Sequence, residues 1–207
     1  MKNVLRLFFI NTIVFLFSCA IPEIKPPIYE DVDVGEALHW KESISAIQAE
    51  FSITFKRDDS KVSGDGVLNI SKDGNLNLRV YSLGFLAFEL TSENGVIKSN
   101  PMLDMIKRKI LTYGLRDCLF WWDIRDFEID NEGDVYLIRS LSRRLWVNRK
   151  TLLPVQQSVL LDDRELWFYY EQPKNMGDIW YPSKIRIELS RYSMTLEFDE
   201  MLFVFGV

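Results

Sequence analysis

From Ala49 onward the chain alternates apolar and polar residues with a period of two. It does so, with one interruption, almost to its end. Ala49, Phe51, Ile53 and Phe55 fall on one side of an extended backbone, and Glu50, Ser52, Thr54 and Lys56 on the other. The pattern returns at Gly66, Leu68 and Ile70, at Leu76, Leu78 and Val80, and at Leu86, Phe88 and Leu90. Arg57-Asp58-Asp59-Ser60, Lys72-Asp73-Gly74 and Glu93-Asn94-Gly95 separate these runs with residues that suit hairpin turns. The alternation therefore describes an antiparallel meander with one apolar face. Strands resume after the interruption, at about 127–129, 135–139, 145–148, 155–161, 166–170, 184–189 and 194–198. A twisted sheet of about ten or eleven strands curls toward a barrel. The fold class is α+β: an incomplete antiparallel β-barrel with a helical lid or plug over an apolar cavity.

Two helical segments are available as the cover. Asp33 followed by Glu36 has the spacing of a capping box, and Ala37, Trp40 and Ile44 repeat at helical spacing, so a helix is predicted over 34–45. Asn100-Pro101 opens the second block with proline at a tolerated first position. Met102, Ile106 and Ile110 share a face there, Gly114 ends that helix, and a shorter one runs from Leu115 to Trp122. The cluster Leu119-Phe120-Trp121-Trp122 is bulky for a connection. With 14 Phe and 6 Trp, two readings stand: the rings fill a large core, or some line a cavity between sheet and helices. The candidate cavity-lining residues are Phe51, Ile53, Leu68, Leu76, Leu78, Leu86, Phe88, Leu90, Ile106, Trp121, Ile187 and Leu196.

The amino terminus carries Lys2 and Arg6, then an apolar run ending at Leu16-Phe17-Ser18-Cys19. Basic residues before about a dozen apolar ones, with a small residue at the end, form a secretory signal, too short to span a membrane comfortably. Leu16-Phe17-Ser18-Cys19 resembles a bacterial lipobox, which implies cleavage before Cys19 and acylation of that residue; the alternative is an ordinary signal peptide with an incidental cysteine. Residues 1–18 are then the signal, 19–34 a proline-containing extended tether, and 35–207 one domain. Losing Lys2 and Arg6 leaves 23 basic against 30 acidic residues, a net charge of −7. No basic tract appears, so no nucleic-acid partner is expected. An acidic body gains nothing from an anionic bilayer surface, and anchoring falls to the lipid on Cys19. Cys118 is the remaining thiol and reads as buried and inert.

The chemistry-bearing motifs are missing. His39 is the single histidine and belongs to no triad or zinc motif, and no GxSxG, CxxC, phosphate loop or GxGxxG occurs. The expectation is a binding protein rather than an enzyme, with no metal, no cofactor, and a monomeric state.

One segment breaks the alternation. In Tyr81-Ser82-Leu83-Gly84-Phe85-Leu86, the residues Leu83 and Phe85 are surplus apolar groups at a turn. Either they tuck against a helix or they form an exposed apolar tip. Leu83-Gly84 with Phe88-Glu89-Leu90, the Asn94-Gly95 turn before Val96-Ile97, the insertion from Pro101 to Trp122, Leu152-Leu153-Pro154 and Tyr181-Pro182-Ser183-Lys184-Ile185 together resemble the family of outer-membrane lipoprotein receptors called LolB, within the LolA/LolB-like fold. The resemblance spans about 36–207 in order of elements. It implies a receptor, lipid-anchored at the periplasmic face of the outer membrane through its inner leaflet. That receptor accepts acylated lipoproteins from a LolA-like soluble carrier and holds their acyl chains. It also implies a membrane-insertion loop at Leu83, Gly84 and Phe85, although Phe85-Leu86 departs from the small or polar residues usual there. Two alternatives remain: a lipoprotein of the same fold carrying another apolar molecule, and a structural outer-membrane lipoprotein with a filled core.

Overall fold

The alternation resolves, in a computed structural model, into one antiparallel sheet of twelve strands. The structure describes residues 25–30, 32–104, 107–108, 110–161 and 164–206; Cys19, the segment 1–18 and Ile106 lie outside them. A first meander comprises β1 (Ile44–Arg57), β2 (Ser60–Ser71), β3 (Leu76–Ser82), β4 (Phe85–Glu93) and β5 (Val96–Asn100). A second comprises β6 (Glu128–Glu132), β7 (Val135–Arg139), β8 (Arg143–Asn148), β9 (Pro154–Leu161), β10 (Arg164–Met176), β11 (Ile179–Leu189) and β12 (Tyr192–Phe205). The spatial order is β5-β4-β3-β2-β1-β12-β11-β10-β9-β8-β7-β6. The meanders join where β1 pairs with β12, from Ile44 opposite Phe205 to Arg57 opposite Tyr192. β5 and β6 remain as edges, so the barrel is incomplete. The sheet exceeds the expected ten or eleven strands because short polar pieces such as β5 show little periodicity of their own.

The inward residues do as the alternation requires. Ile47, Phe51, Leu68, Ile70, Leu78 and Leu90 are buried from the first meander, and Leu145, Leu166, Phe168, Ile187, Leu196 and Phe198 from the second. Phe51 lies directly opposite Gly66 on β2, and a Cβ at Gly66 would stand 2.5 Å from its ring. Glycine there lets the ring lie over the neighbouring strand and meet Phe198 at 5.9 Å between centroids.

The helical cover is present only in part. The first helix is α1 (Val34–His39), continued by a 3-10 turn Trp40–Ser43. Its cap is the expected one, with Asp33 Oδ1 accepting from the Glu36 amide at 3.1 Å. The buried stripe is not the expected one. Val34, Leu38 and Lys41 face inward, while Trp40 is 47% exposed. In the crossover from β5 to β6, residues 101–104 are not helical and Met102 is exposed. Gly114 does not end a helix: a π turn, Ile110–Gly114, runs straight into α2 (Leu115–Leu119). Gly114 faces the side chains of Leu166 and Ile187, and a Cβ there would meet them at 3.5 and 3.8 Å, ordinary contact distances. Phe120, Trp121 and Trp122 follow α2 into the core.

The tryptophans divide three ways, which settles part of the question their number raised. Trp121 and Trp122 are buried, packed edge to face at 5.4 Å. Trp146 and Trp167 alternate with the inward residues of β8 and β10 and stack on the opposite, solvent-facing side at 6.0 Å. Trp40 and Trp180 stand beside a cavity at the end of the sheet where α1 lies.

Candidate functional site

Three features stand out, and the strand directions place them. β1 runs from α1 to the Asp58-Asp59 turn, and the strands alternate from there. The β3–β4 turn, the β7–β8 turn and the exit of β5 therefore share the end remote from α1. Leu83, Phe85, Met102 and Leu141 are all at this end, each at least 78% exposed.

The β3–β4 turn has two central residues, Leu83 at φ 52° and Gly84 at φ 82°. The β4–β5 turn has the same form with Asn94 at φ 49° and Gly95 at φ 79°. Asparagine and glycine suit this geometry; leucine does not, because its Cβ crowds the backbone at positive φ. Leu83 is nevertheless there, 95% exposed, with Phe85 beside it at 78%. Neither local conformation nor burial explains an apolar side chain at this point. The tight turn holds it out from the sheet, so of the two readings the exposed tip is the one the structure displays. A bulge widens it: Val80 opposes Phe88 but Tyr81 opposes Leu86, leaving Ala87 as an extra residue. The bulge takes Leu86 off the face shared by Phe88 and Leu90 and leaves it half exposed. Periodicity alone places Leu86 inward and cannot show this reversal.

The other cavity-lining candidates form a packed interior. Phe51, Leu68, Leu76, Leu78, Leu90, Trp121, Ile187 and Leu196 are buried, and Ile53 and Phe88 are partly buried against them. Above this core the crossover is fastened by carbonyl groups. Arg143 on β8 donates to the carbonyls of Asp123 (2.6 Å), Trp121 (3.3 Å) and Asp117 (3.4 Å). Gln157 on β9 donates to Asp117 O, and the Tyr170 hydroxyl on β10 donates to Gln157 Oε1 at 3.1 Å. Arg116 pairs with Asp117 and Asp123, and Lys72 approaches Asp123 from the β2–β3 turn. Three adjacent strands thus hold residues 116–124 down. Burial pushes the pKa values of Tyr170 and Cys118 well up, so neither ionises in the neutral range.

The third feature lies at the α1 end. A cavity of about 300 Å³ is bounded by Val32, Ala37 and Trp40 on one side and by Leu152, Leu153 and Trp180 on the other. Tyr29 also borders it, its amide bonded to Lys150 O at 2.8 Å, so the segment before α1 lies along the sheet at this point. Lys41 is a wall of this cavity and is 6% exposed. Its ammonium sits 4.2 Å from the ring centre of Trp121, 5.4 Å from Trp122 and 5.7 Å from Trp40. Burial lowers its pKa from 10.5 to about 7. Among the described residues its ammonium makes no hydrogen bond or ion pair. A charged residue following Trp40 reads in the sequence as solvent-facing, so periodicity passes over Lys41. The signal available was its spacing from Val34 and Leu38.

Among the described residues no helix is long and apolar enough to cross a membrane, and no cluster of three or more His, Cys, Asp or Glu side chains is placed to hold a metal. No protein-family model matches the sequence, and no curated protein matches it. Solved structures do. The chain is similar to a DUF1329 family protein from Desulfovibrio piger (TM-score 0.59, 11% identity, 88% of this chain and 95% of that one). It is similar to a LolA superfamily protein from Nitrosomonas europaea (TM-score 0.54, 14% identity, 85% and 96%). An outer membrane lipoprotein-sorting protein domain from Vibrio parahaemolyticus gives a TM-score of 0.53 at 11% identity, over 84% and 92%. At these identities the likeness concerns the fold: an open LolA-like half-barrel.

Proposed function

We propose that this chain is a non-catalytic lipoprotein receptor, anchored through Cys19 at the periplasmic face of the outer membrane. It accepts acylated lipoproteins from a soluble LolA-like carrier and delivers them to the bilayer. The observation that carries the reading is Leu83, 95% exposed on a tight two-residue turn with Phe85 beside it. Immersing two such side chains in hydrocarbon is worth about 3–6 kcal/mol. That is enough to hold the tip against a bilayer to which a lipid already tethers the domain, and Met102 and Leu141 share its end of the sheet. The LolA-like fold of the solved neighbours supports a lipid-handling role.

Burying acyl chains yields about 0.8 kcal/mol per methylene, so cargo passes directly from carrier to receptor rather than through water. The interior is filled by Phe51, Phe120, Trp121 and Phe198. Acyl binding therefore requires opening. Residues 116–124 are clamped by Arg143, Gln157 and Arg116, so opening there would require these contacts to break. The test mixes a form lacking residues 1–19 with a lipoprotein loaded on its periplasmic carrier and measures which protein holds the lipoprotein. One-way, nucleotide-independent movement onto this domain supports receptor function. No movement onto a folded domain refutes it.

A further inference from the structure

We propose that the cavity between the 3-10 turn Trp40–Ser43 and the β8–β9 and β10–β11 turns binds a single-chain amphiphile with a carboxylate head, Lys41 being the counter-ion to that head. The site lies at the end of the sheet opposite Leu83 and stands whether or not the tip enters a membrane.

Three observations converge on it. Lys41 is a nearly buried side chain whose ammonium reaches the cavity, with indole rings close by and no anion paired to it among the described residues. A buried charge without a partner is destabilising, and proteins retain one where something supplies the partner. Its side chain lines an apolar cavity rather than solid core. Val32, Leu152, Leu153 and Trp180 supply apolar walls that suit an alkyl chain, while Glu36, Thr151 and Asp178 also border the cavity, the two carboxylates at its solvent-exposed rim. At about 300 Å³ the cavity is at the small end of ligand sites, matching one chain of about eight carbons rather than a two-chain lipid. A monoanion leaves the buried pair neutral, whereas a dianion leaves a surplus charge in the same place.

The other charged groups on the surrounding elements do not take the role of counter-ion. Glu36, His39 and Glu42 on the segment of Lys41 are solvated, with His39 and Glu42 paired to each other at 3.2 Å. Asp178 on the β10–β11 turn is exposed. Asp123, one residue beyond Trp122, is engaged by Arg116 and Lys72. The exposed carboxylates at the rim are screened by water and salt, so the buried ammonium dominates the interior.

The test titrates octanoate, octanol and a short-chain phosphatidylglycerol into the full chain held in nanodiscs, by calorimetry against empty nanodiscs. Octanoate is expected to bind about tenfold or more tighter than octanol near neutral pH, a ratio matching a charge-assisted contact. Above the Lys41 pKa, near pH 8, its binding takes up close to one proton as the amine is recharged, seen by repeating the titration in buffers of different ionisation enthalpy. Lys41→Met, close in shape and uncharged, is expected to erase both the preference and the proton uptake while leaving octanol binding in place. Equal affinity for octanoate and octanol overturns the proposal, as does tighter binding of the phosphatidylglycerol than of octanoate. Should Lys41→Met fail to fold, the proton uptake in the natural protein decides alone, and its absence refutes the site.

Discussion

Replacing Lys41 by Met offers a direct measure of what its burial costs. Moving a lysine pKa from 10.5 to about 7 withholds ~5 kcal/mol of folding free energy wherever the amine is charged in both states, at about 1.4 kcal/mol per tenfold change in proton affinity. The three indole contacts return part of this, about 0.5–2 kcal/mol. The sign follows from proton counts. Between pH 7 and 10.5 the unfolded chain holds a proton on Lys41 that the folded chain has released, so the lysine-specific part of stability rises with pH in that window. Below pH 7 the full penalty applies. Lys41→Met removes it and fills the same space, so near pH 6 the variant is expected to be more stable by ~3 kcal/mol or more. That advantage shrinks steadily as the pH approaches 10. Urea unfolding of both proteins near pH 6, 8 and 10 gives the difference directly, and groups common to both cancel. A difference that stays constant with pH, or a variant less stable near pH 6, refutes the reasoning.

Gly66→Ala places a methyl group 2.5 Å from the Phe51 ring and is expected to cost about 1–3 kcal/mol in urea unfolding, as overpacking does. Leu83→Glu, at 95% exposure, is expected to alter stability by less than about 0.5 kcal/mol while impairing lipoprotein delivery to vesicles; a loss of several kcal/mol would show that Leu83 packs inward. Arg143→Met leaves the Asp123 and Trp121 carbonyls without their donor, while Asp117 O keeps Gln157, and is expected to cost about 2–4 kcal/mol. Hydrogen exchange should rise in residues 116–124 before it rises in β1 and β12.

Much of the sheet is legible from alternation, because a strand with one buried face writes its period into the sequence. Ala49 through Phe55 and Ile185 through Leu189 are such cases. The signal fails where backbone geometry overrides period. The extra residue at Ala87 reverses the face of Leu86, and nothing in the composition of β4 announces a bulge. It fails again in the crossover, where Gly114 has the look of a helix stop yet the π turn it closes runs straight on into α2. The tip at Leu83 is legible as a surplus, since an apolar residue in a hairpin turn has no structural reason to be there. Lys41 is the opposite case. Its charge argues for solvent, and only the three-dimensional meeting of α1 with Trp121 and Trp122 shows otherwise.

The pairing of β1 with β12 has a consequence for how the protein comes to exist. The centre of the sheet is made by the first strand and the last, with Ile44 opposite Phe205. A growing or translocating chain can form each meander by local turns, but the seam between them waits until residue 205 has emerged. Until then Phe51 and its neighbours lack the cover that Phe198 supplies, and both β1 and β12 are bare edges open to other chains. Non-local closure of this kind is slow. The chain is therefore most vulnerable in the interval between the formation of β1 and the arrival of β12.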